Sequence, residues 1–237
     1  MYCIANVAER HTISAVKANR LYWLGRYAER VYLSLHLMRR YWDRMIDGGG
    51  QAYKEYYSNL DVYNTYGDDE AFSLGHMYDP DNRASILSGL TAANDNAILL
   101  REEIKSETLS YVQMSLALIE RCAADRDKNI TSLQPVTDNL LAFWGSVDSR
   151  PLEPQVRCLL RIGKLVEDAD MHVRFGYPFA RVREYVDELE SLAGIEPGVF
   201  DRVCRARLHE LLCEARYPGD SDYRRELLGV INRLVTL

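Results

Sequence analysis

From Leu21 onward the apolar positions Leu21, Leu24, Ala28, Val31, Leu35, Met38, Trp42 and Met45 recur at steps of three and four without a break. That spacing is the buried stripe of a packed helix. It predicts a helix from Ser14, read as the N-cap, to about Ile46, roughly 50 Å at about 1.5 Å per residue. Gly25 is its only internal glycine and lies beside the stripe. A mid-helix glycine costs about 0.5–1 kcal/mol relative to alanine, so its position implies that another backbone or side chain comes close. Glu29 falls on the same flank one turn on.

The pattern recurs. An offset of 138 carries Leu21 to Leu159, Leu24 to Ile162, Gly25 to Gly163, Ala28 to Val166, Glu29 to Glu167, Val31 to Ala169 and Leu35 to Val173. Stripe, glycine and glutamate return in register, which predicts a second helix over 155–175, closed by Gly176-Tyr177-Pro178. Two such helices suggest a duplicated unit whose copies face each other across a common core, with Gly25 and Gly163 as close-packing positions.

Other segments read as helices of the same kind. Tyr53, Tyr56, Leu60 and Tyr63 predict a short tyrosine-rich helix within 51–67, its rings half buried and its hydroxyls at the edge. Residues 68–81, acidic and containing Pro80, read as a loop with one turn near Ala71-Phe72. Ile86, Leu90, Ala93, Ala97, Leu100 and Ile104 predict one helix over 83–105, with the polar run Asn94-Asp95-Asn96 on its flank. Short polar side chains mid-helix compete for backbone groups, so that run points to something other than helix propensity. Further helices are expected over 106–121, 132–144, 179–194, 199–216 and 221–236, the last capped by Ser221. No strand-like alternation is found. The expectation is an all-α, single-domain bundle of about 7–9 helices spanning 1–237, with an internal pseudo-twofold repeat.

Composition narrows the options. At 47% hydrophobic and 27% charged, 237 residues form one ample core. A formal net charge of -6 without a basic run argues against nucleic acid or an anionic membrane as partner. The absence of a long apolar run or a signal-like amino terminus makes the cytoplasm the expected location. Five cysteines without a C-x-x-C pair read as reduced thiols. No metal is expected: a di-iron bundle needs Glu-x-x-His pairs, which are missing, and Asp168/His172 and His209/Cys213 each supply two ligands with no second pair. The three glycines 48–50 lack the Lys-Ser/Thr of a phosphate loop and read as a helix stop. No cofactor signature is present.

Asn19-Arg20-Leu21-Tyr22-Trp23-Leu24-Gly25-Arg26-Tyr27-Ala28-Glu29-Arg30 resembles the signature of the alpha-E domain family, helical bacterial proteins named for a Glu-Arg motif. The resemblance extends to Asn82-Arg83-Ala84-Ser85-Ile86, to Ala93-Asn94-Asp95-Asn96-Ala97 with Arg101, and to 162–170. It implies a cytoplasmic partner of circularly permuted ATP-grasp ligases that form or remodel amide bonds on peptides or small metabolites, with transglutaminase-like proteins as neighbours. Where the family shows a second Gly-Arg and Glu-Arg, this chain has Gly163-Lys164 and Glu167-Asp168.

The candidate chemistry gathers on these motifs. A glutamate leaving water needs cationic partners or it keeps its proton. The first reading is therefore a structural Glu-Arg network. The sharper one is a ligand or partner cleft formed by Arg26, Glu29, Arg30, Asn94, Arg101, Lys164 and Glu167. In function, an accessory subunit docking through its acidic surface and tyrosine-rich helix stands beside an enzyme using Glu29 as general acid or base on an amide or ester.

Overall fold

The structure, a computed structural model, describes residues 13–47, 52–63, 65–217 and 220–237. Among them are eleven α-helices: α1 (Ala15–Ile46), α2 (Ala52–Leu60), α3 (Asp69–Tyr78), α4 (Ile86–Leu99), α5 (Arg101–Ile104), α6 (Ser106–Ala124), α7 (Gln134–Ser149), α8 (Pro154–Arg174), α9 (Phe179–Ile195), α10 (Arg202–Leu211) and α11 (Ser221–Ile231). The only strand-like feature described is a single antiparallel bridge, Phe200 to Val235. The fold is all-α. No described helix is long and apolar enough to cross a membrane.

α1 forms as its pattern predicts. Ser14 caps it, its side chain accepting from the Lys17 N–H, and the stripe from Leu21 to Met38 is fully buried. The three-glycine stop lies outside the described residues, as do most of residues 1–13 and Cys3. The four described cysteines are free thiols. α1 packs most extensively on α8 and next on α4; α6 and α7 pair beyond α4, and α9 and α11 cover α8.

The helix count exceeds expectation for identifiable reasons. Residues 68–81 are not a loop, because α3 occupies most of them. Asp68 caps it, accepting from the Ala71 N–H at 2.7 Å, and Asp69 and Glu70 sit in its first turn. There their charge complements the helix dipole, while Phe72, His76 and Met77 go inward. The helix expected over 83–105 starts after the Ser85 cap and breaks at Leu100 into α4 and α5. The helices expected over 199–216 and 221–236 are both shorter, and the cap of α11 is Asp220, not Ser221.

α2 also differs from its expected half-wet state. Tyr53, Tyr56 and Tyr57 are buried, because the interior supplies their hydroxyls with partners. The Tyr56 hydroxyl lies 2.8 Å from His76 Nε2, that of Tyr57 lies 3.2 Å from His76 Nδ1, and Tyr53 donates to the Gly67 carbonyl at 3.1 Å. Burial pushes the His76 pKa down to about 3, so the ring stays neutral among these phenols. These tyrosines hold α2 to α3 and are not available for docking.

The centre is the pair α1 and α8, which run parallel. At one end the Ile13 N–H reaches the Gln155 side chain, and at the other the Tyr41 ring meets Phe175. Between them the backbones touch reciprocally. A Cβ on Gly25 would lie 2.3 Å from the Leu160 carbonyl oxygen and 3.2 Å from the Lys164 nitrogen. A Cβ on Gly163 would lie 2.1 Å from the Tyr22 carbonyl oxygen and 3.0 Å from the Arg26 nitrogen. Each glycine thus faces the residues three before and one after the other glycine. The reciprocity is that of one helix pair and shows no internal repeat of a larger unit.

Gly25→Ala should therefore destabilise the protein by about 2–3 kcal/mol despite the better helix propensity of alanine, since the clash is with backbone. Gly145→Ala in α7, where nothing lies within 4 Å, should instead stabilise by about 0.5–1 kcal/mol. Urea-unfolding midpoints of the two variants provide the comparison.

Candidate functional site

Because the glycines bring α1 and α8 into contact, the residues one turn beyond them are forced into the interface. Glu29 and Glu167 are each 1% exposed. Each takes its cation from the opposite helix, at the position directly after that helix's glycine: Glu167 from Arg26, Glu29 from Lys164. From there the two halves diverge.

In the arginine half, Arg26 Nε donates to Glu167 Oε2 at 2.7 Å, and Arg30 donates through Nε to Oε1 at 2.6 Å and through Nη2 to Oε2 at 3.0 Å. Burial alone would raise the carboxyl's pKa, but Arg30 and then Arg26 overcome it and hold Glu167 down to about 2. The guanidiniums are backed by rings, Arg26 lying 5.4 Å from the Trp23 centroid and Arg30 5.7 Å from Tyr27. Arg26 Nη2 continues to Asn232 Oδ1 on the turn after α11 at 3.0 Å. The Asn232 amide donates to Asp170, and Asp170 is gripped by Arg174 Nε at 2.6 Å.

A cavity of about 260 Å³ opens on this half. Arg26, Arg30, Arg83 and Arg174 line it against Glu167 and Asp170, four guanidiniums facing two carboxylates that are already engaged. Arg83 is exposed and forms no ion pair among the described residues. The local field is positive in a chain whose net charge is -6.

The lysine half is closed on itself. Lys164 Nζ bridges Glu29 Oε1 at 2.9 Å and Asp168 Oδ2 at 3.1 Å, beneath the face of Trp144 at 5.3 Å. One ammonium cannot neutralise two buried carboxylates. Burial, and next the charge of Asp168, push Glu29 up to about 8, Lys164 offsetting only part; burial raises Asp168 as well. Glu29 Oε2 has no donor among the described residues, which fits a Glu29 that keeps its proton and shares it with Asp168. Where the repeat pattern would place the counterpart of Arg30, Asp168 stands, and a retained proton takes the place of the missing cation.

Of the expected cleft residues, Arg26, Arg30 and Glu167 meet at the cavity, while Glu29 and Lys164 meet in the closed cluster. Asn94 and Arg101 join neither. Asn94 is half-buried on α4 with its Oδ1 unpartnered among the described residues, and Arg101 is exposed. The polar run is accounted for in part by Asn96, which accepts from Arg20 at 3.3 Å. Arg174, Asp170 and Asn232 complete the site. Asp170 and Arg174 follow Gly163 and Glu167 at steps of three and four, a readable stripe; Asn232 arrives from a distant turn and left no local signal. Among the described residues no group of three His, Cys, Asp or Glu side chains could hold a metal ion.

The two glutamates set opposite pH dependences. Glu167 has a depressed pKa, so its contribution is present above about pH 4.5 and is lost as pH falls toward about 2. Glu29 has a raised pKa, so stability is fullest below about 4.5 and declines as pH rises through about 8. Glu29→Gln, which keeps a donor toward Asp168, should fold and flatten the decline between pH 5 and 8. Glu167→Gln should cost about 3–5 kcal/mol by leaving two guanidiniums unpaired. Urea unfolding across that pH range reads both.

Residues 15–195 match the Alpha-E family, described as a predicted alpha-helical domain with a conserved ER motif. No curated protein and no solved structure matches the chain. Glu29-Arg30, the Glu-Arg pair at the α1–α8 contact, lies inside the matched span. With about three-quarters of its length covered, including both helices that build the site, the chain belongs to the Alpha-E family.

Proposed function

We propose that the chain serves an ATP-grasp amide-ligase system acting on peptides or small metabolites as a non-catalytic helical partner, holding an anionic group of the substrate in the arginine pocket between α1 and α8. The observation that supports this is the excess of positive charge around an open cavity. Four guanidiniums line it, two carboxylates already engage them, and Arg83 forms no ion pair among the described residues. Planar guanidiniums grip carboxylate or phosphate oxygens in pairs, and a half-desolvated setting strengthens the grip. The link to the ligase, to a transglutaminase-like neighbour and to the cytoplasm comes from the family resemblance. The reciprocal contacts also support an origin of α1 and α8 as copies of one unit, of which the first kept both arginines.

An enzyme using Glu29 as general acid or base is the second reading, favoured by a carboxyl that holds a proton near neutral pH. Glu29 is 1% exposed, so a substrate atom reaches it only if the helix pair opens. That places the accessory role first.

Co-expression with an ATP-grasp ligase should give one complex that survives gel filtration at micromolar concentration; independent migration overturns the partnership. Titration with inorganic phosphate or acetate at fixed ionic strength should raise the melting temperature of the chain. Arg83→Gln should remove most of that rise, and an unchanged response would dismiss the pocket as an anion site.

A further inference from the structure

The arginine pocket is one end of a longer groove. A second cavity of about 380 Å³ adjoins the first and shares Arg174 and Asn232 with it. Arg224 and Arg225 of α11 line it together with Asn59 and Asp61 at the end of α2. Arg225 is paired with Asp222 at 2.8 Å, but Arg224 is half-buried without an ion pair among the described residues. Each cavity therefore presents a guanidinium without an ion pair among the described residues, Arg83 in the first and Arg224 in the second. The two cavities together fall in the size range of a small-ligand site.

The middle is of different character. The Asn232 carboxamide and the Asp170 carboxylate meet there, and Arg174 Nη1 donates to the Leu60 carbonyl at 3.0 Å. Val62, Met171 and Leu228 form apolar parts of the walls. Among the described residues no aromatic ring lines either cavity, so a nucleotide base would find no stacking surface there.

Resting on the reading of the arginine pocket as an anion site, we propose that the groove binds an extended acidic peptide, one carboxylate held at Arg30 and Arg83 and a second at Arg224, with the peptide amides crossing Asn232 and Asp170. Two anchored charges on one chain make the second contact intramolecular, so a multi-acidic peptide binds more tightly than a single acid. Salt weakens the complex, since the charges are partly exposed.

Calorimetric titration of the full chain with tri-glutamate, glutamate, tri-glutamine and ATP tests this. Tri-glutamate should bind at least about tenfold more tightly than glutamate, and tri-glutamine not measurably. Arg83→Gln and Arg224→Gln should each weaken tri-glutamate about tenfold, while Arg202→Gln, an exposed control away from the groove, changes nothing. If Arg83→Gln weakens binding and Arg224→Gln does not, the groove is refuted and the anion pocket stands. Indifference to both variants refutes both readings. Tighter binding of ATP than of tri-glutamate refutes the peptide as ligand, as does equal binding of tri-glutamine. Circular dichroism on the variants, whose substituted side chains are not fully buried, separates lost binding from lost fold.

Discussion

Two backbones meeting at two glycines is the constraint on which the rest of the structure depends. With a Cβ absent at Gly25 and Gly163, α1 and α8 approach until carbonyl oxygens of one fill the place of a side chain on the other. The same approach carries Glu29 and Glu167 out of water. An ion buried without a partner costs several kcal/mol, so the crossing is stable only if each carboxylate is paired or neutral. Both solutions are present, one in each half. Two arginines favour the ionised form of Glu167, and burial beside Asp168 with only Lys164 as cation favours the protonated form of Glu29.

That difference divides the site electrostatically. The half with a retained proton has satisfied its charge within itself, so it has little to offer a charged ligand. The half with arginines has charge to spare and a cavity to spend it in. A chain with net charge -6 thus keeps a positive concavity at its most constrained point, and an anion drawn there meets guanidiniums fixed by Glu167, Asn232 and aromatic faces. Side chains already held in place lose little further freedom on binding, the condition under which few contacts give useful affinity.

Much of this was legible in the sequence because it is local. The three-and-four spacing gave α1 and α8, the paired glycines indicated close approach, and each glutamate followed its glycine by one turn. What stayed hidden depends on partners distant in the chain. Residues 68–81 look like a polar loop until Asp68 is seen as a cap and Phe72 has a core to enter. The tyrosines of α2 look amphipathic until His76 supplies hydrogen bonds inside. Asn94 and Arg101 share a sequence stretch with core residues but do not line the cavity, while Asn232 reaches it from the turn after α11. The exchange of arginine for Asp168 was visible as a letter, but its consequence, a proton held in the interior, follows only from burial and from the single lysine available.

The most direct test is carbon-13 NMR of the glutamate side-chain carboxyls, assigned by single substitution and followed through a pH titration of the intact chain. The close crossing predicts that Glu29 titrates far above an ordinary glutamate, near 8, and that Glu167 stays ionised into strongly acid solution, toward 2. Two carboxyls titrating together near 4.5 would mean that both are in water, and would contradict the crossing on which everything else is built.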